Sequence, residues 1–98
     1  MNNMSNIVLE NIRQLAPELK EKFGIKKMAL FGSYARNEAR ENSDIDLAII
    51  EIDKKDFFNR LHAKYFIEEQ MQKKVDIGYL SSMRSFLRKR IEKEMIYV

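Results

Sequence analysis

Three short apolar runs, Met28 to Phe31, Ile45 to Ile52 and Val75 to Leu80, interrupt a chain whose other apolar residues recur every three or four positions. Runs of this length, rich in branched residues and bounded by turn formers, read as buried strands. The stretches between them are helical in pattern. Val8, Ile12, Leu15, Leu19 and Phe23 mark an amphipathic helix over 5–23 that Gly24 can end and that Pro17 should kink or split. A brief helical composition covers 33–40. Asp53 is placed to cap a long helix over 54–73, with Phe58, Leu61 and Tyr65 on its inner face. Ser81 or Ser82 would cap a last helix carrying Met83, Phe86, Leu87, Ile91 and Met95. The order α-β-α-β-α-β-α predicts an α/β (α+β) chain, a small three-stranded sheet flanked by about four helices. The segment 33–40 is too short for a parallel crossover, which usually takes about a dozen residues, so the sheet should be mixed.

At 98 residues the chain is expected to be a single domain over 1–98, with no second domain to hold a substrate. It has no cysteine, which excludes disulfides, thiolate nucleophiles and cysteine metal sites, and suits a reducing cytosol. Its longest apolar runs, such as Leu47 to Ile50, fall far below the roughly 18 residues that cross a bilayer. The Asn-rich beginning does not read as a signal peptide. The expectation is a cytoplasmic protein with no membrane association. The formal net charge of +3 is carried by one segment, where Arg84, Arg88, Lys89, Arg90 and Lys93 face only Glu92 and Glu94. Such a tail most often forms a solvated helix face; nucleotide phosphates, an acidic protein or nucleic acid are the alternatives, nucleic acid the least favoured.

One constellation carries chemistry: Gly32-Ser33, then Asp44-Ile45-Asp46 after a ten-residue gap, and Asp76 inside the third apolar run. A glycine and serine leaving a strand let backbone approach a ligand and offer amide and hydroxyl donors to phosphate oxygens. Alternate residues of a strand share a side, so Asp44 and Asp46 should project together, away from Ile45 and Leu47. Their mutual repulsion is relieved by a divalent cation, and oxygen-only ligands suit Mg²⁺. Asp76 lies between Val75 and Ile77 in a strand expected to be largely buried, where a lone charge would be costly. Should the third strand lie beside the second, three carboxylates could hold two metal ions about 3.5 to 4 Å apart, with Asp76 taking a proton from an attacking hydroxyl. Arg36 could reach a phosphate or pair with Glu38 or Asp46. His62 reads as structural, and Tyr34 as a nucleotide neighbour, a core anchor or a surface ring.

The run Leu30-Phe31-Gly32-Ser33-Tyr34-Ala35-Arg36, followed by Ser43-Asp44-Ile45-Asp46-Leu47, resembles the signature of minimal nucleotidyltransferases, the smallest members of the DNA polymerase β-like superfamily. The resemblance spans nearly the whole chain and implies a polymerase β palm-like fold and nucleotidyl transfer from ATP with Mg²⁺, two ions being expected. It implies that Gly32 and Ser33 meet the nucleotide phosphates, that Asp44 and Asp46 bind metal, and that Asp76 is the third carboxylate. Many members act as antitoxins beside HEPN toxins, adding AMP to a tyrosine, so a hetero-oligomer with such a partner is implied. Relatives often carry glycine where this chain has Asn37, a residue that tolerates a left-handed backbone. The absence of an acceptor-holding domain favours a protein acceptor. The alternatives are an antitoxin that masks its partner without chemistry, or transfer to a small molecule with a separate helical subunit.

Overall fold

The computed structural model describes residues 3–98. The elements run α1 (Asn3–Phe23), β1 (Ile25–Phe31), β2 (Ile45–Ile52), α2 (Phe57–Met71), β3 (Val75–Tyr79), a single 3-10 turn at Leu80–Ser82, α3 (Ser85–Glu94) and β4 (Ile96–Tyr97). The strands form one mixed sheet in the order β3-β2-β1-β4. β1 pairs antiparallel with β2 and with β4, whereas β2 and β3 are parallel and joined through α2.

Alternation along the strands divides the sheet into two faces. Met28, Leu30, Ile45, Leu47, Ile49, Val75 and Ile77 point into the main core with Ile12 and Leu19 of α1 and Ala63 and Ile67 of α2. Each large aliphatic side chain removed from water there contributes about 1.5–3 kcal/mol, which makes this layer the principal source of stability. The opposite face is thinner: Ala48, Leu80 and Ile91 are buried, with Phe31, Ile50, Met83 and Met95 packed around them. Asp46 and Asp76 lie on this second face, and Asp46 shares a cavity with residues of α3.

The structure corrects several expectations. Pro17 neither splits nor ends α1, which runs unbroken from Asn3 to Phe23 because Leu15 and Leu19 on either side of it are both held in the core. The segment 33–40 is a series of turns and irregular backbone, not a helix, so the described residues hold three α-helices where about four were expected. Asn37 enters the left-handed region at φ 62°, and the Glu38 amide donates to the Ser33 carbonyl at 2.8 Å, spacing that no α-helix continues. The cap of α2 is Asp56, whose Oδ1 accepts from the Phe58 and Asn59 amides at 2.9 and 3.1 Å. Asp53 is already engaged with the preceding strands: its amide donates to Gly24 and its carboxylate pairs with Lys26. The inner face of α2 is Ala63 and Ile67, with Phe58 and Tyr65 turned to solvent. Neither Ser81 nor Ser82 caps α3; the residue before it is Arg84, which makes no capping hydrogen bond through its side chain. A fourth strand, β4, takes Ile96 and Tyr97, which apolar spacing leaves unassigned, so the sheet has four strands among the described residues where three were expected.

Candidate active site

β1 ends where the chemistry starts. Gly32 follows Phe31 with φ +77°, a conformation that L side chains rarely adopt, and a Cβ there would collide with the Asp46 carboxylate. The glycine is therefore required twice, once for the bend and once so that a carboxylate can lie against the backbone. After it the chain turns tightly, with the Arg36 amide donating to the Gly32 carbonyl at 3.0 Å. Tyr34 is fully buried and its hydroxyl donates to the Ser43 carbonyl at 3.4 Å, so it anchors the turn in the core and does not face a ligand. Asn37 takes the left-handed conformation for which glycine would otherwise be chosen.

β2 then presents the acids. Asp46 is opposite Phe31 of β1 on one side and in register with Asp76 of β3 on the other. Because Ile45, Leu47, Val75 and Ile77 are buried in the main core, Asp46 and Asp76 must share the opposite face. Asp44 stands just before the strand, whose start is fixed by the Ile45 amide donating to the Lys74 carbonyl at 2.9 Å. Electrostatics shows how close the acids are. Partial burial, followed by the charges of Asp76 and Asp44, pushes the Asp46 carboxyl up from 3.8 to about 6, against the opposing pull of Arg36. Asp76 itself is exposed, so the burial cost expected for it does not arise.

The chemistry of this donor set fits a hard divalent cation. All its candidate ligating atoms are oxygens, and the Asp46 carboxyl is raised first by burial and then by the charges of Asp76 and Asp44, the part that a cation would relieve. The fit is one of donor chemistry alone: among the described residues no group of three or more His, Cys, Asp or Glu side chains is arranged to hold a metal ion, so the three-carboxylate cluster expected from the sequence is not assembled. Mg²⁺ usually takes only one or two protein carboxylates and fills its shell with water and phosphate.

Beside the acids lies a cavity of about 220 Å³ lined by Phe31, Gly32, Arg36, Asp46, Leu87, Arg90, Ile91 and Glu94. Of the expected residues, Gly32, Arg36 and Asp46 meet in it, while Asp44 lines a neighbouring cleft with Ser43 and Lys73. Ser33 sits half-buried in the bend. Arg36 donates to Glu38 at 2.7 Å and to Glu94 at 3.1 Å. His62 is exposed on α2. Two residues of α3 line the cavity without having been singled out as site residues: Arg90, read only as one cation of the basic tail, and Glu94, read only as part of its charge balance. The available signal was that Glu94 falls three positions after the buried Ile91 and four after Arg90, on the inward face of an otherwise basic helix. A larger cleft of about 440 Å³ between α1 and β1 carries no acidic side chain and offers nothing to this chemistry.

Comparison with known proteins shows the family and the fold. A family model described as nucleotidyltransferase domain matches residues 12–98. The protein adenylyltransferase MntA of Thermococcus cleftensis is 30% identical over 97% of this chain and 100% of its own length. A toxin-antitoxin crystal structure with AMP-PNP superposes with TM-score 0.73 at 25% identity, covering 90% of this chain and 69% of the matched one. A complex of a tri-AMPylated Shewanella oneidensis HEPN toxin with an MNT antitoxin shares the fold, with TM-score 0.68 at 22% identity over 95% of this chain and 70% of the matched one.

Proposed function

We infer the reaction from one premise: the chain belongs to the nucleotidyltransferase domain family. It transfers AMP from ATP to a hydroxyl of a partner protein, and the partner is a HEPN toxin, the class of protein that is AMPylated in the Shewanella complex. The observation that carries this reading is the register of Asp46 with Asp76 on the face beside the Gly32 bend, which brings the acids next to the place where phosphate would bind.

The chain's own residues divide the work. Gly32, Ser33 and Arg36 bind and orient the phosphates, the amide and guanidinium being charge-complementary donors. Asp44, Asp46 and Asp76 would hold Mg²⁺, which when bound neutralises the phosphates and favours in-line displacement at the α-phosphorus. As the acceptor oxygen bonds to that phosphorus and the bond to pyrophosphate breaks, Asp76 takes the hydroxyl proton. The acceptor approaches over α3, where Phe86 is 71% exposed and Leu87 lies beside the cavity, among Arg84, Arg88 and Lys89.

The test is transfer of label from α-labelled ATP with Mg²⁺ to the purified partner. The native chain should label it, and Asp44→Asn or Asp46→Asn should abolish labelling; normal labelling by both variants would refute the mechanism. An antitoxin that only masks its partner would still protect a host as the double variant Asp44→Ala, Asp46→Ala, whereas a catalytic one would not.

A further inference from the structure

The end of α3 puts a carboxylate where the proposed reaction needs a phosphate. The Gly32 amide donates to Glu94 Oε2 at 2.7 Å, and Arg36 Nη1 donates to the same oxygen at 3.1 Å and to Oε1 at 3.4 Å. A main-chain amide and a guanidinium converging on one anionic oxygen is the donor set that receives a phosphate. The Glu94 side chain is 15% exposed, so the Gly32 end of this contact is partly buried, while the Arg36 end is open to solvent. Its position is costly in another respect, because Asp46 lines the same cavity and like charges repel. What offsets that repulsion is the pair of donors in the bend.

Resting on the nucleotidyl-transfer reading, we propose that Glu94 is a built-in substitute for the nucleotide's phosphates: it fills the phosphate seat of the Gly32 bend in the empty protein and is displaced when a triphosphate arrives. The exchange is a side-chain movement. The backbone on either side of Glu94 is fixed, by the Met95 amide on the Ile91 carbonyl at 2.8 Å, by β4 pairing with Ala29 and Leu30, and by the Val98 amide on the Met28 carbonyl at 3.0 Å. Arg90, one helical turn earlier and lining the same cavity, is placed to receive the displaced carboxylate. Glu94 thus keeps the donors of the bend satisfied between turnovers and lowers affinity for weakly charged anions, which cannot outcompete it.

The experiment measures binding of inorganic tripolyphosphate, and separately of ATP with Mg²⁺, to the native chain, Glu94→Gln and the exposed neighbour control Glu92→Gln. Glutamine keeps the shape and an acceptor for the Gly32 amide but removes the charge. Glu94→Gln should bind tripolyphosphate about tenfold more tightly, because a neutral acceptor makes a hydrogen bond roughly half as strong as a charged one, and Glu92→Gln should not differ from the native chain. Equal or weaker binding by a folded Glu94→Gln overturns the proposal. Amide NMR of the native chain tests it without a variant: the Gly32 resonance should move on saturation with tripolyphosphate, and an unmoved resonance also overturns it. The two levels separate cleanly. Tighter binding with no AMP transfer by the native chain would sink the transfer reading and leave Glu94 as an anion substitute, whereas transfer with unchanged affinity would sink the role of Glu94 alone.

Discussion

Asp46 is the residue at which stability and the proposed function oppose each other. Folding raises its pKa from 3.8 to about 6, so between those values the folded chain holds a proton that the unfolded chain has lost. Its contribution to stability is therefore fully present below the unfolded value and is lost as pH rises through the folded one. Denaturant unfolding of the metal-free protein should show stability falling from pH 4 to pH 6.5, and Asp46→Asn should flatten that slope. The same variant should be more stable than the native chain at pH 7 by roughly 1 kcal/mol, once solvent screening of a half-exposed carboxylate is counted, while losing transfer activity. Gly32→Ala should destabilise by about 2 kcal/mol or more in the same measurement, since it meets both a left-handed backbone and the Asp46 carboxylate. Asn37→Gly should lie within about 0.5 kcal/mol of the native chain, because asparagine already pays little for the left-handed conformation. The sequence pointed to Gly32, Asp44, Asp46 and Asp76 by residue type and spacing; of that expectation the fold shows Asp46 in register with Asp76 and against Gly32, while their work on nucleotide and metal belongs to the proposal. Glu94 was not legible, since its contact with Gly32 spans 62 positions, and its spacing from Ile91 says only that it turns inward, not what it meets.

At the scale of elements, pattern located every strand but β4 and misread the helices in several details. In α2 an apolar residue occurs at nearly every third position on two faces, so spacing alone could not choose between Phe58 with Tyr65 and Ala63 with Ile67. The sheet chose the small and branched pair, whose side chains allow the helix to approach closely. The cap was displaced for a related reason: Asp53 completes the end of the β1–β2 ladder and Asp56 is the first acid free to meet helix amides. Asp56→Ala should cost about 1 kcal/mol in urea unfolding, as lost side-chain caps do. Asp53→Ala, which removes an exposed pair with Lys26, should cost less than that. The segment 33–40 reads as helix by composition, yet the antiparallel return from β1 to β2 needs only a folded turn, and the left-handed Asn37 supplies it.

At the scale of the molecule, the mixed sheet was deducible because a helix as long as α2 can cross between parallel strands and the 33–40 segment cannot. The two-residue β4 lay below what periodicity resolves, and its role is positional. It fastens the end of α3 over the acid face through Ile96 and Tyr97 on β1, and Arg13 of α1 donates to the Tyr97 carbonyl at 2.9 Å. Removing residues 96–98 should cost roughly 2 kcal/mol from hydrogen bonds alone and lower the melting temperature accordingly, as read by calorimetry. What joins these scales is the placement of the acids against the bend, and crystals grown with a non-hydrolysable ATP analogue and Mn²⁺ in place of Mg²⁺ would display it directly. Anomalous density bounded by Asp44, Asp46 and Asp76, with a phosphate oxygen on the Gly32 amide, is the expected result. Nucleotide bound elsewhere, or manganese absent from those carboxylates while the nucleotide is ordered, would contradict it.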